Sequence, residues 1–96
     1  MVFEIGGDSM NEYLHEVIAC MYQKLVKARR YRNADEYTDA YKLCMALCFE
    51  CYGMIYTLLI LELISKDRYS LLNKAIDTFD LSIIEEYAYK LGRSTK

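Results

Sequence analysis

The stretch Leu43–Ile64, LCMALCFECYGMIYTLLILELI, decides how this chain folds. Only Glu50, Thr57 and Glu62 interrupt its apolar character, and no proline occurs anywhere in the sequence to break it. Tyr37, Tyr41, Cys44, Cys48, Cys51, Ile55 and Leu58 keep the alternating spacing of a packed helical seam. A second stripe, Met45, Phe49, Tyr52, Tyr56 and Leu63, lies about a quarter turn away, and Leu43, Leu47, Met54 and Leu61 line a third side. A helix that is apolar all round is surrounded either by protein or by lipid.

Outward from that run, Asn33-Ala34-Asp35-Glu36 reads as an N-cap with its acids in the first turn, where the helix dipole favours them. The central helix is therefore expected from Ala34 to Ile64, roughly 46 Å long. Before it, Ser9-Met10-Asn11-Glu12 forms a capping box. Met10, Tyr13, Leu14, Val17, Ile18, Met21, Leu25 and Ala28 then follow at the spacing of an amphipathic helix, reaching about Tyr31 and roughly 33 Å in length. Two shorter helices are expected at Ser70–Phe79 and Leu81–Leu91. The last has a capping box at Ser82–Glu85 and a left-handed cap at Gly92.

A tight turn near Arg32 would fold the first two helices antiparallel, with facing residue numbers summing to about 65. Cys20 would then lie level with Cys44, Leu14 with Cys51 and Met10 with Ile55. The far end of the central helix would outrun its neighbour. The expected architecture is an all-α antiparallel bundle of three or four helices around a long central helix, and oligomeric. Residues 1–8 read as an apolar arm, 9–92 as a single helical domain and 93–96 as a frayed tail.

Composition bounds the function. The chain has 96 residues, is 54% hydrophobic and carries a formal charge of −2. That excludes intrinsic disorder and gives no bulk attraction to nucleic acid. A single domain of this size buries roughly 65% of its unfolded surface, which leaves little for a deep pocket. No secretory signal is visible, and cysteines at helical spacing suit a reducing compartment, so a cytoplasmic location is expected.

Three constellations compete with ordinary packing. Cys44, Cys48 and Cys51 have the spacing of a cluster motif, but a straight helix sets Cys44 and Cys51 about 10 Å apart, too far to share one ion. Cys20, Cys44 and Cys48 remain as a possible thiolate set across the hairpin. Glu12-Tyr13-Leu14-His15 matches the Glu-x-x-His element of carboxylate-bridged metal bundles, with Glu50 roughly level with His15. Lys24, Lys27, Arg29, Arg30 and Arg32 gather near the end of the first helix. They spread around it as dipole-opposing cations do, and offer a weaker case for an anion or acidic partner.

The apolar run is long enough to cross a bilayer, yet Glu50 near its middle would be costly in lipid. No phosphate loop or catalytic triad can be assembled, so no enzyme activity and no cofactor is expected. The expected function is a small non-enzymatic protein–protein interaction module of adaptor, inhibitor or subunit type, acting as a homo-oligomer. Its interface is placed at the overhanging end: Met54, Ile55, Leu58, Leu59 and Leu61. A thiolate or Glu/His metal-binding bundle and a single-pass membrane anchor are the alternatives. The expected partner is protein, a second copy first, rather than nucleic acid or membrane.

Overall fold

The computed structural model describes residues 7–94, which form four helices and no strand: α1 (Gly7–Arg30), α2 (Asp39–Ile60), α3 (Lys66–Thr78) and α4 (Leu81–Ser94). The described residues are all-α, as the periodicity predicts. Most of the apolar arm assigned to residues 1–8 and the end of the tail lie outside the described residues. Helices α1 and α2 pack together, α2 packs on α3, α3 on α4 and α4 back on α1, closing a four-sided circuit. Each helix therefore has two neighbours and keeps an outward side.

The principal core holds Leu14, Ile18, Met21 and Leu25 from α1, Cys51, Ile55 and Leu58 from α2, Leu72, Ala75 and Ile76 from α3, and Ile84 and Tyr87 from α4. Ala28, Cys44 and Leu47 make a smaller cluster at the α1–α2 turn. The side chains of Leu25, Ile55 and Leu58 are fully enclosed. Across α3 and α4, the Arg68 guanidinium lies 4.2 Å from the centroid of the Tyr87 ring, a cation–π contact at the rim of the core.

Helix α2 is shorter than its sequence suggests. It spans 22 residues against 24 in α1, about 33 Å and about 36 Å, so it does not outrun its neighbour. At its start, Thr38 is the N-cap. The Thr38 hydroxyl accepts from the Tyr41 amide at 3.1 Å and donates to the Asp35 carbonyl at 2.7 Å. Asn33–Glu36 lie in the turn before it rather than capping the helix.

At the other end of α2, the Glu62 amide donates to the Leu59 carbonyl and the Leu63 amide to the Leu58 carbonyl. This is a Schellman closure, with Glu62 left-handed at φ 60 where glycine usually sits. The third helix consequently begins at Lys66, capped by Ser65, whose hydroxyl accepts from the Arg68 amide at 3.1 Å. Phe79 closes α3 in the left-handed region at φ 54.

The start of α4 also differs from expectation. Asp80 accepts from both the Ser82 amide and the Ser82 hydroxyl, and those bonds hold its carboxyl below the usual carboxylate range. Glu85, expected to complete a capping box with Ser82, instead accepts from the Tyr22 hydroxyl at 2.7 Å. Gly92 is inside the helix with no left-handed φ, so α4 continues past it.

The wider α1–α2 turn resets the hairpin register. The Lys24 ammonium meets Glu50 at 2.8 Å, and the Cys51 thiol reaches the Met21 carbonyl at 3.7 Å. Facing numbers therefore sum to about 72–74 rather than 65, a shift of about two helical turns.

Candidate interaction surface

Helix α2 turns Cys44, Leu47, Cys51, Ile55 and Leu58 inward. At 100° per residue the opposite side carries Met45, Phe49, Gly53, Tyr56 and Ile60, a continuous band along the helix. Phe49 is 62% exposed, Tyr56 56% and Ile60 61%. The most apolar 18-residue stretch of α2 has a mean hydropathy of 1.8, yet only 28% of it is buried. A helix serving purely as the core of its own chain would be enclosed on most sides. Single exposed apolar residues are ordinary, but an aligned row of them marks a contact surface.

Both flanks of the band are shaped. On the α3 side a cleft of about 390 Å³ opens among Tyr41, Met45, Phe49, Tyr52 and Phe79. Tyr52 is fixed there by a hydrogen bond from its hydroxyl to Asp77. Burial, reinforced by that carboxylate, pushes the Tyr52 hydroxyl well above the usual phenol range. On the α1 side lies a depression among Tyr13, Val17, Gly53, Met54 and Thr57. The hydrogen bond to Glu50 holds the Lys24 ammonium protonated above its ordinary value at that rim.

Gly53 sits at the middle of the band, and a β-carbon built on it meets nothing within 4 Å. Nothing in this chain requires glycine there. Gly53→Ala should therefore raise the stability of the isolated chain by roughly 0.5–1 kcal/mol, the usual difference in helix interiors. Chemical denaturation at low concentration checks this, and a loss of stability would mean a close neighbour at that position.

The interface placed at the end of the central helix needs correction. Ile55 and Leu58 are fully enclosed by their own chain, and Met54 and Leu59 are half-buried against the core. Leu61 alone of that set is exposed. The misplacement follows from the missing overhang: with α2 ending at Ile60, that part of the helix is covered by α1 and α3. The exposed band is instead drawn largely from the second stripe, whose quarter-turn offset from the cysteine seam was visible in the sequence.

The proposed metal ligands are not brought together. The register shift places Cys20, which is exposed, near the level of Cys51 and Tyr52, about two turns from Cys44. Among the described residues no group of three or more His, Cys, Asp or Glu side chains could hold an ion. Glu12 is exposed, and Glu50 is engaged by Lys24 away from His15. His15 lines a groove of about 500 Å³ between α1 and α4, its Nε2 enclosed without a hydrogen-bond partner among the described residues.

Cys44, Cys48 and Cys51 behave as packing groups. Burial pushes the Cys51 thiol up to about 12 and the Cys48 thiol up to about 11. The folded chain thus keeps a proton on Cys51 that the unfolded chain releases above the ordinary thiol value. Stability should fall as pH climbs from about 8.5 towards 12, by on the order of 3 kcal/mol from Cys51 at pH 11. Alkaline denaturation of Cys51→Ala should show a shallower fall. Thiol labelling at neutral pH should modify Cys20 at once and Cys51 only on unfolding.

Of the basic cluster, Lys27, Arg29 and Arg30 stand in the last turn of α1, where cations oppose the helix dipole. Arg29, Arg30 and Arg32 share a shallow depression with Val26, Asn33 and Leu81, while Lys24 is committed to Glu50. The five therefore form no common surface. No family model, curated protein or solved structure matches this chain.

Proposed function

We propose that this chain is a small non-enzymatic interaction module that works as a homo-oligomer through the outer face of α2. The observation that carries this reading is the row Met45, Phe49, Tyr56 and Ile60, aligned on one face of the most apolar helix and left uncovered. Methionine and aromatic side chains suit such a contact, offering large area and adaptable packing.

Lipid is a poorer fit for the same helix. Its other side is locked into the core through Cys51, Ile55 and Leu58, and Glu50 is held in an ion pair with Lys24. Crossing a bilayer would require stripping α2 from that core. Sedimentation equilibrium at micromolar concentration tests the proposal. The expected result is a mass at least twice the 11.3 kDa of one chain. A monomer that stays monomeric, or one that instead co-sediments with phosphatidylcholine vesicles, overturns it.

A further inference from the structure

We propose that the occupant of the α2 face is a second copy of this chain, laid antiparallel with its two-fold axis between Tyr52 and Gly53. The inference rests on reading that face as an interface and adds its partner, direction and register. The four side chains of the row are spaced palindromically. Met45 and Ile60 lie equally far from the point between Tyr52 and Gly53, and so do Phe49 and Tyr56. Two copies related by a two-fold axis there set Met45 against Ile60 and Phe49 against Tyr56, both ways at once. An isologous contact requires this self-complementarity. Ile60 of the second copy then stands over the cleft walled by Tyr41, Met45, Phe49 and Tyr52.

Gly53 falls beside the axis, where two helices cross most closely and a side chain would hold them apart. A β-carbon there would meet nothing in its own chain, which leaves that space for the neighbouring helix of the pair. Charge supports the same direction. The last turn of α2 carries no basic residue of its own. The antiparallel register brings Lys42 of one copy level with the C-terminal end of α2 and Glu62 in the other, and the two helix dipoles run in opposition.

Disulfide trapping decides the geometry. In a Cys20→Ser chain, Met45→Cys and Ile60→Cys are made separately and oxidised alone or after co-refolding as a mixture. In the antiparallel pair two copies of residue 45 are about 22 Å apart and cannot bond, whereas residues 45 and 60 of opposite copies are level. Most mixed pairs should be linked on a non-reducing gel, with neither variant linking to itself. Self-linkage of Met45→Cys would show a parallel pair and overturn the inference, as would a dimer by sedimentation that links in no combination. Both outcomes leave the oligomer reading standing. A monomer by sedimentation, before any oxidation, removes that reading itself. Gly53→Ala supplies a readout without cysteine: it should weaken association at least tenfold, and tighter association would count against an axis there.

Discussion

Ile55→Ala should lower the unfolding free energy by about 3–4 kcal/mol, read from the denaturant midpoint at constant slope. The side chain is fully enclosed in the core shared by the four helices, so truncation forfeits its burial and leaves a cavity that close-packed helices fill only in part. A residue that faced a partner would behave otherwise: it would cost association and leave the monomer nearly unchanged. The loss should therefore persist undiminished when Phe49→Asp is present to keep the chain monomeric. An effect below about 1 kcal/mol would place Ile55 outside the core.

Phe49→Asp should do the opposite, weakening self-association at least a hundredfold while changing the stability of the isolated chain by no more than about 0.5 kcal/mol. Phe49 exposes most of its ring, so the monomer loses little when it goes. In a two-fold pair the substitution counts twice: each copy removes an aromatic anchor and drives a carboxylate into an apolar contact. Sedimentation velocity over a dilution series measures the shift. Unchanged association would mean that the pair forms elsewhere, and a collapse of the monomer would mean that Phe49 supports the fold.

The helices and their buried faces were legible because each carries a strong period. Leu14, Ile18, Met21, Leu25 and Ala28 line the inner side of α1 as their spacing predicts, and Cys44, Cys51, Ile55 and Leu58 do the same for α2. The boundaries were less legible because the usual punctuation is missing. Tyr37, Glu62 and Phe79 take the left-handed region in the three turns, positions that a glycine would have announced. Glu62 gives no sign in the sequence of a helix end, so the apolar spacing predicts a helix through to Ile64 and a third helix only from Ser70, although Ser65 is the cap.

The length of the α1–α2 turn governs the rest of the arrangement. The segment Tyr31–Thr38 is longer than the tight turn expected near Arg32. The hairpin register moved, separating Cys20 from Cys44, and the supposed overhang vanished. The surface that replaced it was in plain view as the second stripe. Periodicity shows that a helix has two apolar sides; it does not say which one the rest of the chain will occupy.

The four-sided circuit of helices also joins the first to the last. Helix α4 is bound to α1 through Tyr22 and Glu85, and the groove between them reaches His15 on one helix and Leu91 on the other, so the beginning of α1 and the end of α4 lie towards one end of the bundle. A short peptide bridging them would close a covalent ring at small entropic cost. Such a ring could be reopened in the exposed segment around Glu36 and Tyr37, giving a circular permutant in which α2 leads and the α1–α4 seam becomes a hairpin.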